Sequence, residues 1–124
     1  MTGEDIKNFR LSTKANEIAD RIKETGHFED VLTVARFGLA YALKTHFNDI
    51  SPKTFQMPDS GGSNYNIGSL DSDGQLRALL VALYPDTTTP YLYAQHLITF
   101  GLLKLGERID NDGWKSVSAL LESN

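Results

Sequence analysis

The side chains best suited to chemistry in this 124-residue chain gather at its start: Lys7, Asn8, Arg10, Lys14 and Arg21. In Lys7-Asn-Phe-Arg-Leu-Ser12 polar and apolar residues alternate, the period of a half-buried strand, so Phe9 and Leu11 share one face and Asn8, Arg10 and Ser12 the other. Asparagine and arginine on the open face of a strand are groups that read base edges, and Arg10 could make a bidentate contact to guanine. Lys14 and Arg21 lie on the helix that Ser12 caps. With Glu17 they form a stripe at three- and four-residue spacing, which suits a paired, solvated lattice as well as a phosphate-facing edge.

Other chemistries find less support. His27, His46 and His96 fall on three separate elements without the spacing of a metal site, and read as surface or packed histidines. Asp71-Ser-Asp-Gly74 echoes a calcium loop, but its first ligand would be Ser69 and its twelfth position Leu80, which leaves too few oxygens. A helix cap by Asp71 or Asp73 is the better account. The chain has no cysteine, no GxSxG elbow and no phosphate-cradling GxxxxGK. Phe55, Tyr65, Tyr91 and Tyr93 could stack on bases, but without interleaved Lys or Arg they read as packing. No catalytic residue, no metal and no cofactor is expected.

Charge narrows where DNA could be met. The net charge is −4, yet residues 1–53 carry eight basic and eight acidic side chains, so the whole acidic excess lies beyond them. Nucleic-acid contact belongs in the first part if anywhere. The lack of cysteine fits an intracellular, cytoplasmic protein, and no apolar run approaches a membrane span.

The elements that must position these residues follow from periodicity. Residues 1–5 offer nothing to bury and are expected to fray. After Ser12, Ala15, Ile18, Ala19 and Ile22 mark one face of a first helix, and Thr25-Gly26 ends it. A second helix, about residues 29–44, is apolar nearly all round, with only Thr33, Arg36 and Lys44 as a polar strip. Such a helix must be covered on several sides, by later helices, another subunit or both. Residues 45–72, rich in Asn, Asp, Ser, Gly and Pro, read as a long loop over the core, with Gly61-Gly62-Ser63 as a mobile tip. A third helix is predicted from Asp73 to Tyr84 on the stripe Leu76, Leu79, Leu80 and Leu83, and a fourth from Thr89-Pro90 to about Ile109. Asp110-Asn-Asp-Gly113 should break it, and Trp114, Val117, Leu120 and Leu121 predict a short fifth helix. The expected fold is a single mainly α domain over 1–124. It has a short N-terminal strand and about five helices, arranged as a unit over 6–44, the loop 45–72 and a helical extension over 73–122.

Strand, capped helix, Thr-Gly turn and apolar helix in succession resemble the ribbon-helix-helix module, in which two chains pair their strands and the ribbon enters the major groove. A strand with unpaired edges calls for such a partner. Phe9, Leu11, Val34, Phe37 and Tyr41 are then the expected contacts between copies of a homo-oligomer. Arg10, Lys14, Arg21, Asn8 and Lys7 are the expected contacts to double-stranded DNA.

The likeness extends further. Arg10-Leu-Ser12, Ala15, Lys23 to Gly26, Val31-Leu32, the polar stretch with Asn66 and Leu70 before Asp73, the leucine helix, and Gly101 followed by Leu105 resemble the DndE family over about residues 9–121. That resemblance implies a non-catalytic, oligomeric component of the bacterial machinery that replaces a non-bridging phosphate oxygen of DNA with sulfur. DNA and other DNA-modification proteins would be its partners. The alternatives are a ribbon-helix-helix transcriptional regulator or antitoxin, and a pure protein-interaction subunit, which the acidic second part favours.

Overall fold

A computed structural model describes residues 5–112, and these are mainly helical with one short two-stranded sheet. The order is β1 (Asn8–Arg10), α1 (Thr13–Glu24), α2 (Val31–Thr45), a 3-10 turn (Phe47–Asp49), β2 (Asn64–Asn66), α3 (Ile67–Leu70), α4 (Gln75–Leu83) and α5 (Pro90–Asp112). The helix expected around Trp114, Val117, Leu120 and Leu121 lies outside the described residues. So does Gly113, while α5 runs on through Asp110 and Asn111 to Asp112 rather than breaking there.

Local chemistry accounts for the helix ends. The Ser12 hydroxyl accepts from Ala15 N at 3.2 Å, and the Asp30 carboxylate from Thr33 N at 2.8 Å. Each satisfies one of the donors a helix start leaves orphaned. Gly26, at φ 88, makes the left-handed step between α1 and α2. Ser12 is fully enclosed, so Ser12→Ala is expected to cost about 1 kcal/mol, read as a fall of about 3–5 °C in thermal unfolding.

The post of the fold is α5. Its Leu97, Ile98, Leu102 and Leu105 are fully buried, together with Ile22 of α1, Val34 of α2 and Leu80 of α4. Helix α2 crosses it at two glycines, Gly38 and Gly101, where the backbones meet without side chains between them. The near-complete apolarity of α2 is thereby met mostly within the chain, since Val34, Ala35, Leu39, Tyr41 and Ala42 are buried.

Two expectations are corrected. The strand was expected to pair with a second chain, yet β1 pairs antiparallel with β2 of its own chain, in the register Asn8 to Asn66, Phe9 to Tyr65 and Arg10 to Asn64. The partner lay inside the stretch read as loop, where three residues are too few to show a period. Residue 5 was expected to fray, but the Asp5 carboxylate accepts from Tyr91 N at 2.7 Å and Leu92 N at 3.0 Å, capping α5 from 86 residues away.

Candidate nucleic-acid interface

The ribbon places polar residues outward as the alternation requires. Phe9 is fully buried and its ring stacks on Tyr65 at 5.2 Å, which turns Asn8, Arg10, Asn64 and Asn66 to the exposed face. Those four are two cross-strand pairs, Asn8 with Asn66 and Arg10 with Asn64. The Arg10 guanidinium donates through Nη1 to the Gly62 carbonyl at 3.2 Å, which fixes its stem and leaves further N–H groups for a ligand. Asn66 uses its side-chain oxygen to accept from Ser69 N at 3.1 Å, so its amide N–H groups are what it can offer.

A buried asparagine holds β2 and the preceding loop against α1. The Asn16 side-chain oxygen accepts from Ser63 N at 3.0 Å and from the Tyr65 hydroxyl at 3.1 Å, while its amide donates to Asp20 at 3.3 Å. Gly62 N donates to the Leu11 carbonyl at 3.0 Å, close enough that a Cβ there would press on Leu11 O at 2.6 Å. Gly61-Gly62-Ser63, expected as a mobile tip, is thus tied to α1 and the end of β1. Asp59 anchors the same loop. It accepts from Gly61 N, Thr13 N and Thr13 Oγ1, and the Gly61 and Thr13 hydrogen bonds hold its carboxyl below the ordinary value. A carboxylate that stays ionised beside the ribbon reduces its attraction for phosphate.

The five residues expected to meet DNA are divided. Lys7, Asn8 and Arg10 are exposed on or beside β1. Lys14 and Arg21 line a shallow cleft between α1 and α5 with Ile18, Gly106, Ile109 and Asp110, so an acidic residue shares their neighbourhood. The residues expected between copies are largely enclosed by their own chain: Phe9, Leu11 and Val34 are fully buried, Tyr41 nearly so, and Phe37 packs on Phe28 at 5.3 Å. Asn64 escaped sequence reading as a site residue. The polar-aromatic-polar run Asn64-Tyr-Asn66 was its only signal.

The remaining candidates serve the fold. His46 meets Asp49 at 2.7 Å and sits edge-on to Tyr41 and Phe100, and His96 is buried with its Nδ1 2.7 Å from the Pro52 carbonyl. Among the described residues no three His, Asp or Glu side chains group as metal ligands. Phe55 packs on His96 and Phe100, and Tyr93 meets Tyr84 edge-on. Asp71 caps α4 through Leu76 N and Arg77 N and accepts from the Tyr91 hydroxyl at 2.8 Å. No helix among the described residues is long and apolar enough to cross a membrane. Protein-family models, curated proteins and solved structures were compared with the chain, and none matches it.

Proposed function

We propose that this protein is a non-catalytic, DNA-contacting accessory of bacterial DNA sulfur modification, and that the ribbon is its contact. The observation that carries the DNA reading is the outward row of Asn8, Arg10, Asn64 and Asn66 on a two-stranded antiparallel ribbon. A ribbon of this kind fits the major groove, and these side chains match its donors and acceptors. Three residues per strand span roughly 10 Å at about 3.4 Å each, so few base pairs are read at once and binding is sequence-tolerant. Sulfur modification as the setting rests on the family resemblance. The regulator alternative is weaker, because it depends on a ribbon shared between two chains, while β1 finds its partner in β2.

The test is fluorescence anisotropy with intact and nicked duplexes across a salt series. Wild type should bind at low salt and weaken as salt rises. Arg10→Ala and Asn64→Ala should each cost about 1–3 kcal/mol. Absence of binding to either duplex at low salt would overturn the DNA reading. Binding that Arg10→Ala and Asn64→Ala leave unchanged would move the contact off the ribbon. A neighbouring cysteine desulfurase gene would support the sulfur-modification setting, and an adjacent toxin gene would replace it with the antitoxin alternative.

A further inference from the structure

A hollow of about 720 Å³ opens where the 3-10 turn after α2, with the residues that follow it, faces the α4–α5 connection and the first turns of α5. Ile50, Leu92 and the rings of Phe47, Tyr84 and Tyr93 line it, and Lys53 and Asp86 are its charged residues. A pocket for a small molecule has that size and that mix, mostly apolar and aromatic with a few polar groups. Its rings already pack on one another. Tyr84 stacks on Phe47 with 6.0 Å between centroids and 26° between planes, and meets Tyr93 edge-on at 5.4 Å. One group in the lining is unsatisfied: the Tyr84 hydroxyl is shut off from solvent and has no hydrogen-bond partner among the described residues. A buried hydroxyl left unpaired is costly and calls for an explanation. Burial, with the neighbouring Tyr93, pushes this phenol above the ordinary 10.0, so at neutral pH it keeps its proton and can donate.

We propose that this hollow binds a neutral, planar aromatic small molecule carrying a hydrogen-bond acceptor, and that Tyr84 is the residue that recognises the acceptor. Planarity follows from the three rings, which gain most from another ring stacked or set edge-on against them. Neutrality follows from the charges. Lys53 and Asp86 both line the hollow, so a charged ligand is attracted by one and repelled by the other. The acceptor follows from the unpaired Tyr84 O–H. Phe47 provides the way in: it is 38 % exposed and stands on a three-residue turn that buries none of its residues, so it can swing off the Tyr84 ring. The site uses no residue of the ribbon and stands whether or not DNA is bound.

Benzamide is the probe, a flat neutral ring with a carbonyl acceptor. Toluene lacks the acceptor, and cyclohexanecarboxamide lacks the flat ring. Each is titrated into the isotope-labelled full chain, with the backbone amide signals of Tyr84, Thr87 and Thr88 followed by NMR. Benzamide should bind about three- to tenfold tighter than toluene, the range one neutral hydrogen bond supplies, and tighter than cyclohexanecarboxamide by a similar factor from ring packing. Tyr84→Phe keeps the ring and removes the unpaired hydroxyl, so it should fold as wild type does and bind benzamide no more tightly than toluene. Arg10→Ala should change nothing. Circular dichroism checks the fold of each variant, and the comparison of the three probes on wild type decides the matter if Tyr84→Phe does not fold. Absence of benzamide shifts at these amides, or equal affinity for benzamide and toluene, overturns the proposal. A benzamide preference that survives in folded Tyr84→Phe does so too, as does tighter binding of benzoate or benzamidine than of benzamide.

Discussion

Gly101→Ala is expected to lower the melting temperature by about 8–12 °C, although alanine is the better helix former by about 1 kcal/mol. A Cβ on Gly101 would overlap the carbonyl oxygen of Gly38 and stand 2.7 Å from its carbonyl carbon. Both are backbone atoms of a packed helix and cannot rotate away, so α2 and α5 must separate along the seam that contains Leu102 and Ile98. Overpacking costs roughly 1–3 kcal/mol where a core can adjust and more where it cannot, so it outweighs the gain in propensity by about 2–3 kcal/mol. Gly38→Ala provides the contrast. Its Cβ would first meet Leu102 Cγ at 2.9 Å and Cδ2 at 3.0 Å, side-chain atoms at a longer distance rather than overlapping backbone, so the loss should be smaller. Thermal unfolding followed by circular dichroism gives the order, and a Gly101→Ala variant as stable as wild type would mean that this crossing is looser than described.

That seam shows what sequence reading could and could not supply. A glycine inside a long apolar helix costs about 1 kcal/mol against alanine and so points to close helix approach, and Gly101 does meet Gly38. Helical periodicity placed α1, α2, α4 and α5 because each has eight or more residues in which to express it. β2 had three residues and no such margin, so the strand's partner was sought in another chain. Once Asn64-Tyr-Asn66 is seen to pair with Asn8-Phe-Arg10, the burial of Phe9 and Leu11 needs no second copy.

The candidate sites divide along the same line. Alternation alone turned Asn8 and Arg10 outward, because a strand's period survives whatever partner it finds. What alternation could not supply was Asn64 opposite Arg10, a pairing across 54 positions fixed by the Asn16 hydrogen bonds and the Gly62 contact. The hollow between α2 and α4, lined by Leu43, Phe47, Leu76 and Leu79 together with Arg36, Lys44, Asp71 and Asp73, was hidden for the opposite reason. Its leucines belong to helix stripes that periodicity can place but whose burial it cannot decide, since composition does not tell a buried leucine from an exposed one.

The second large effect is expected at Asp71, the carboxylate that joins three elements. It accepts from Leu76 N at 2.9 Å, Arg77 N at 3.0 Å and the Tyr91 hydroxyl at 2.8 Å, so it fixes the start of α4 to the first turn of α5. Burial raises its carboxyl, but those hydrogen bonds and the nearby Arg36 charge outweigh burial and leave it below the ordinary 3.8. Asp71→Asn keeps the shape but faces an NH₂ group toward donors. With charged hydrogen bonds contributing about 1.5–3 kcal/mol, a loss of about 2–3 kcal/mol at neutral pH is expected in urea unfolding. The pH dependence separates charge from shape. A carboxyl lowered in the folded state stabilises above its unfolded value and loses that contribution as pH falls through the folded one, so the gap between wild type and Asp71→Asn should narrow on acidification below about pH 4. Asp30 and Asp59, also lowered, weaken both proteins in that range alike. At the alkaline end, burial and the hydrogen bond to Asp71 push the Tyr91 phenol up to about 12, so its neutral form stabilises the fold below pH 10 and that contribution fades between about 10 and 12. Removing the Asp71 charge should bring the Tyr91 titration down, seen as earlier phenolate absorbance that Tyr91→Phe eliminates. If Asp71→Asn keeps the same stability gap from pH 3 to pH 7, the carboxylate's charge plays no part in joining α4 to α5.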